Sequence, residues 1–251
     1  MREIETVVVA SLESLLEEMV PRLGYDRTPV YRGLASADWQ LLPGLYRRAV
    51  AESEHKSWVE LEAAFLHSFK ERACRDLVSE PATELEWMAL ATHHGLPTRL
   101  TAWSENILAA LFFACDPAHD AEDGVVWRIM PGEGGISISQ DHENVPDQIR
   151  LFRPRRPDLS MQSQRVLFLT HPLPTEDATP ESLEDSYELG EGRIVLTRLV
   201  VPAEAKSFLR RRLAMMGVDR RAMIPGLGSL CGDLSEEIFC HTDAYEWIFP
   251  E

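Results

Sequence analysis

Two short stretches carry the side chains best equipped for chemistry. The first, Thr92-His93-His94-Gly95-Leu96-Pro97-Thr98-Arg99-Leu100, is a polar run in an apolar setting. Imidazole exchanges protons near neutrality, and a hydroxyl beside a guanidinium can address a phosphate or carboxylate. Neighbouring helical residues diverge by about 100°, so at most one of His93 and His94 is expected in any one pocket. A structural reading stays open beside this one: Arg99 pairs with a nearby acid, and a histidine caps a helix C-terminus, where a cation is favoured. No metal site is expected, because no His, Asp or Glu stands at a ligand spacing from the pair.

The second stretch is Val30-Tyr31-Arg32-Gly33. Strand alternation puts Arg32 on the face of Val30 and Tyr31 on the other, so a core-facing Val30 aims Arg32 inward. A guanidinium held there must find an anion or acceptors, and Gly33 would allow a ligand close to the backbone. With Thr98, Arg99, one of the two histidines and Gln164, Arg32 is expected to form a pocket for a small anionic ligand such as a nucleotide.

These residues need elements to hold them. Thr6–Ala10 reads as a strand and Ser11 as the cap of a helix reaching about Val20; Thr28–Arg32 reads as a strand that Gly33 ends. Glu52–Leu77 spaces Trp58, Leu61, Phe65, Phe69 and Ala73 at helical intervals, as a buried stripe requires. Thr83-Glu84-Leu85-Glu86 has the form of a capping box and predicts a helix from Glu84 to His93, broken by Gly95-Leu96-Pro97. Ser104 is placed to cap a helix over Glu105–Cys115 that is apolar nearly all round and therefore central. Gly124–Met130 and Arg193–Val201 read as strands, Ala203–Met216 as a helix ended by Gly217, and Ser229–Cys240 as the last helix. The stretch 131–144 reads as loop with at most a short strand, and 174–190 as an acidic exposed insertion. The pattern predicts one mixed α+β domain over 1–251, with a small, largely antiparallel sheet flanked by helices and an N-terminal strand-helix extension over 1–27.

Bulk composition narrows the partners. The formal charge of −16 over 251 residues argues against an extended nucleic-acid surface, which needs cations to neutralise phosphates, and suits a basic protein partner. No apolar run is long enough for a membrane span, and Met-Arg-Glu-Ile-Glu lacks the sections of a secretory signal. Cys74, Cys115, Cys231 and Cys240 show no metal-finger spacing and sit in apolar helical contexts typical of buried thiols, so a cytoplasmic location is expected.

Tyr31-Arg32-Gly33, Asp38-Trp39, Leu42-Pro43, Arg47, the run His93 to Leu100, and Trp103 with Asn106, Ala110, Phe112, Phe113 and Ala114 closely resemble the FRG domain family, named for its Phe/Tyr-Arg-Gly start. Looser likeness continues through Gln164, Phe168, Leu213, Gly217, Pro225 and Leu227. The resemblance implies site roles for Tyr31, Arg32, Gly33, His93, His94, Thr98, Arg99, Trp103, Asn106 and Gln164. The family's usual pattern has glutamine at Thr92, arginine at Ser160, glycine at Val166 and, above all, aspartate at Ala102. An acid there could pair with Arg99 or act as a base, and alanine can do neither. Sequence drift and a deliberate inactivating replacement both account for Ala102.

The Tyr-Arg-Gly strand is also similar to the first motif of arginine-class ADP-ribosyltransferases, where the arginine holds NAD. Ser137-Ile138-Ser139 could imitate that class's second motif, but no Glu-x-Glu follows it. The leading expectation is NAD-dependent ADP-ribosyl transfer or NAD cleavage, in the manner of a bacterial toxin or phage-defence effector, inactivated here by Ala102 in place of Asp. Another nucleotide or nucleic-acid hydrolase, or a non-catalytic sensing or interaction module, are the alternatives.

Overall fold

Helix boundaries in the computed structural model fall close to the caps that the sequence supplies. Residues 4–19, 29–47, 57–77, 79–131, 138–139, 145–155, 157–174, 180–186 and 194–240 are described. Helix α1 (Leu12–Met19) opens at Ser11, whose hydroxyl accepts from Ser14 N at 3.2 Å. Ser57 opens α2 (Trp58–Ala73) and Thr83 opens α3 (Glu84–His93), each accepting an amide from the first turn. The Glu86 carboxylate completes the start of α3 by accepting from Ala82 N at 2.9 Å. Gly95, at φ +88°, ends it: Gly95 N donates to Thr92 O and Leu96 N to Ala91 O, the nested bonds of a left-handed helix stop. The other α-helices are α4 (Ile107–Ala114), α5 (Leu159–Gln164), α6 (Ala203–Met215), α7 (Arg220–Met223) and α8 (Leu227–Cys240).

The strands are β1 (Glu5–Val8), β2 (Val30–Leu34), β3 (Leu100–Ser104), β4 (Gly124–Pro131), β5 (Ile138–Ser139), β6 (Leu151–Phe152), β7 (Val166–Thr170) and β8 (Ile194–Val201). They form one sheet in the order β1-β8-β4-β2-β3-β7-β6-β5. Two pairs, β1 with β8 and β5 with β6, are parallel, and the other pairs are antiparallel. The chain therefore adopts the α+β class and largely antiparallel sheet expected of it.

Alternation along the strands sorts the core into two faces. Val30, Leu34, Trp103, Val125, Trp127, Ile129, Leu167, Leu169, Ile194 and Leu196 share one face. The opposite face carries two separate helix groups. One, with α4 and α6, packs on Tyr31, Val126, Leu199 and Val201; the other, with α3 and α5, packs on Leu100, Val166 and Phe168. The groups meet above the weakest joint of the sheet: β2 runs beside β4 from Val30 to Leu34 but meets β3 only at Tyr31 opposite Ser104.

Several expectations need correction. Gly33 lies inside β2 rather than ending it. Leu100–Ser104 is a strand, and the cap of α4 is Asn106, whose Oδ1 accepts from Leu108 N at 3.0 Å, in place of Ser104. Within the acidic stretch 174–190, residues 180–186 are docked: Leu183 is buried on the face of Trp103 and Trp127, and Glu184 accepts from Leu41 N. The rest of that stretch that bears the acidic reading, 175–179 and 187–190, lies outside the described residues. Of the cysteines, Cys115 is buried whereas Cys74 and Cys231 are exposed. Among the described residues no helix is long and apolar enough to cross a membrane.

Candidate functional site

Glycine at position 33 is dictated by packing. A Cβ there would stand 1.8 Å from Ala110 O and 2.8 Å from Ala114 N, so α4 lies directly on the backbone of β2. Gly124 repeats the arrangement on β4, 2.2 Å from Ala114 O. This replaces the expectation that Gly33 exists to admit a ligand, although it does line the cleft described next.

That cleft, about 480 Å³, opens where the two helix groups part above the β2–β3 joint. Tyr31, Arg32, Gly33, Ala102, Trp103 and Ser104 come from the two strands. Thr92, His93 and His94 come from the end of α3, Ala110 and Phe113 from α4, and Ser160 and Gln164 from α5; Val166, Ile224 and Pro225 complete it. No Asp or Glu is among these residues, in a chain whose net charge is −16.

Arg32 reaches across the parted strands, its Nη1 donating to Ala102 O at 2.6 Å. Among the described residues it has no carboxylate partner. Burial, with repulsion from Arg47, lowers its pKa to about 10, which leaves it charged at neutral pH. His171 is buried and bonded to Thr101 Oγ1 at 3.2 Å; burial, then the Arg32 charge, hold its pKa down to about 3. His171 is therefore neutral and offers Arg32 no counter-charge.

The two histidines converge rather than diverge. His94 is the residue after the last helical position, with φ −89° and ψ 15°, so the angular separation of helix neighbours does not apply to it. Its Nε2 lies 3.0 Å from Asp158 Oδ2, and His93 Nε2 lies 2.6 Å from Ser160 Oγ. His93 is the enclosed one, with a side chain 7% exposed against 56% for His94. Burial lowers the pKa of His93, outweighing the nearby Asp158 carboxylate.

The other sequence candidates divide. Gln164 lines the cleft but spends its amide on Met223 O at 2.8 Å, tying α5 to α7. Trp103 is buried and donates to Thr101 Oγ1 at 3.0 Å. Three residues expected in the pocket are absent from its lining. Arg99 donates through Nε to Glu62 Oε2 at 2.7 Å, while its backbone N donates to Glu62 Oε1 at 2.9 Å. Thr98 is buried in the turn, where it bonds Thr92 Oγ1 at 2.6 Å and accepts from Leu100 N. Asn106 is the α4 cap. Arg153 pairs with Glu105 and Arg210 with Asp120, and neither arginine lines the cleft. Ser137 lies outside the described residues. Ser160 and Asp158 are the polar groups that site reasoning from sequence missed, because their meeting with α3 spans more than sixty residues of chain.

Residues 27–123 match the FRG domain model, so this stretch of the chain is similar to that family. The match takes in β2, the end of α3, β3 and α4, which form most of the cleft. Gln164 and the looser C-terminal likeness lie beyond it. No curated protein and no solved structure matches the chain.

Proposed function

We propose that the cleft is a nucleotide-binding site in which Arg32 contacts phosphate, and that its chemistry is NAD-directed: ADP-ribosyl transfer or NAD cleavage, limited here by Ala102. The observation that carries the reading is Arg32, a partly buried guanidinium without a carboxylate partner among the described residues, in a cleft lined by no acid. Such a group favours an anion, and phosphate oxygens suit the planar fork of its N–H donors. The volume fits a nucleotide, and Tyr31, Trp103 and Phe113 supply aromatic surface beside the polar groups.

Ala102 also lines the cleft, so an acid at 102 would enter it beside Thr92 and His93. A carboxylate there could stabilise a developing positive charge on ribose or accept a proton from an attacking hydroxyl. The Ala102→Asp protein is therefore expected to consume NAD at least tenfold faster than the present chain. Equal rates would remove position 102 from the chemistry. A second reading, a non-catalytic nucleotide sensor, is favoured by the lack of any carboxylate in the lining. Ligand-induced stabilisation without turnover in both proteins would select it, and turnover of ATP or an oligonucleotide in place of NAD would select a hydrolase. In this reading residues 1–251 act as one unit in a bacterial cytoplasm, as a toxin or phage-defence effector. The acidic surface is left to meet a basic protein partner.

A further inference from the structure

Ser160 stands where the family resemblance leads one to expect arginine, and its single hydroxyl proton can be traced. Ser160 Oγ donates to Asp158 Oδ1 at 2.8 Å. Asp158 also accepts from Met161 N at 2.8 Å as the cap of α5. Its pKa is lowered although burial raises it, because the hydrogen bonds from Met161 N and the Ser160 hydroxyl favour the charged form. An ionised carboxylate only accepts hydrogen bonds, so the proton of Ser160 is committed to it. The 2.6 Å contact between Ser160 Oγ and His93 Nε2 must then be donated by the imidazole. A neutral imidazole carries one N–H, and His93 is kept neutral by burial. Its Nδ1 is consequently an unprotonated lone pair, and among the described residues no hydrogen bond reaches it.

We propose that Asp158 and Ser160 are positioning residues that fix His93 as its Nε2–H tautomer, making His93 Nδ1 the proton acceptor of the cleft. The proposal rests on the reading of this cleft as a ligand site. With alanine at 102, the lining offers no carboxylate base, and His93 is the enclosed side chain that can take the role. A water or hydroxyl held beside a bound nucleotide would lose its proton to Nδ1, breaking an O–H bond and forming an N–H bond. The imidazolium so formed keeps its Nε2–H on Ser160, and the Asp158 charge stabilises it through that hydroxyl. Ser160 is thereby excluded as the nucleophile: its proton faces Asp158 and its lone pair receives an N–H. The charged and titratable groups around His93 are Asp158 beside α5, His94 at the end of its own helix, and Arg32 on the strand side of the cleft.

Imidazole ¹⁵N–¹H correlation spectra of the unliganded protein at pH 7 test this without turnover. His93 should be neutral and mainly Nε2–H, with a roughly tenfold preference, as one hydrogen bond into a charged network implies. Ser160→Ala should lose that preference and Ser160→Thr, which keeps a hydroxyl, should recover it. Asp158→Asn, whose amide oxygen can still cap α5, should lower the His93 pKa further by removing the negative charge. An Nδ1–H tautomer in the native protein, or a signature unchanged by Ser160→Ala, would overturn the proposal. Failure of nucleotides to bind would sink the proposed function while leaving these spectra as predicted, so the two failures are distinguishable.

Discussion

Arg99 sits in the polar run that looks most like a ligand site, yet its surroundings define a buried ion pair whose loss can be costed. Glu62 is 3% exposed, on the α2 face that meets the turn before β3. Its two oxygens take the Arg99 backbone N and Nε, and the Arg99 side chain is 13% exposed. Replacing Glu62 with alanine strands this guanidinium. Its other acid neighbour, Asp147, is 3.9 Å away and 79% exposed, too solvated to compensate. Removing one partner of a buried pair costs about 3–5 kcal/mol. The Arg99 amide, also left without its acceptor, pushes the loss toward the upper end of that range. Against a typical total of about 5–15 kcal/mol, urea unfolding should show a midpoint well below that of the native chain with an unchanged slope. The paired replacement Glu62→Met with Arg99→Leu should recover most of the loss, because two apolar groups leave no charge stranded. A loss under about 1 kcal/mol for Glu62→Ala would refute the structural role given to this pair. So would an Arg99→Ala protein of native stability that no longer binds nucleotide.

Two further outcomes follow from close contacts elsewhere. Gly33→Ala forces a Cβ into Ala110 O and should cost about 3 kcal/mol, seen as a drop of roughly 10 °C in the unfolding midpoint; an unchanged midpoint would mean that α4 does not rest on β2 as described. His171, with a folded pKa near 3 against 6.5 for the free side chain, is protonated first in the unfolded chain as pH falls, so stability declines through that window by about 2 kcal/mol between pH 7 and pH 5. His171→Gln should lose that part of the slope, and identical slopes in urea titrations of the two proteins would contradict the assignment.

Local signals made the helices legible. Thr83 and Gly95 act at close range through their own hydrogen bonds, which is why α3 and the stop after His94 are legible from spacing; the apolar stripe marks α2, but not its start, which Ser57 sets at Trp58 rather than Glu52. Strand β3 (Leu100–Ser104) carries a weak sequence signal, because Thr101 and Ser104 break its apolar run and a helix start follows at once; both polar residues are nevertheless buried and bonded, to His171 and to Gln164 O. Helix α5 is obscured in the sequence by Pro154, Pro157 and the arginines before it, although its cap, Asp158, acts locally on Met161 N. Residue type and motif single out Arg32 and His93, and both line the cleft. The partner of Arg99 was not, since Glu62 lies 37 residues earlier on a helix whose sequence pattern gives no sign of a buried acid.

The central claim is that Arg32 serves a ligand rather than the fold, and thermal unfolding of the native and Arg32→Ala proteins with and without NAD or ATP tests it most directly. At about 100 times the dissociation constant, binding should stabilise the native protein by about 2.7 kcal/mol, or roughly 5–10 °C. That shift is expected in the native chain and its loss in Arg32→Ala, whose unliganded stability falls by no more than one hydrogen bond from a charged donor implies, about 1.5–3 kcal/mol. An Arg32→Ala protein that is unfolded, or that binds nucleotide as well as the native chain, would contradict it.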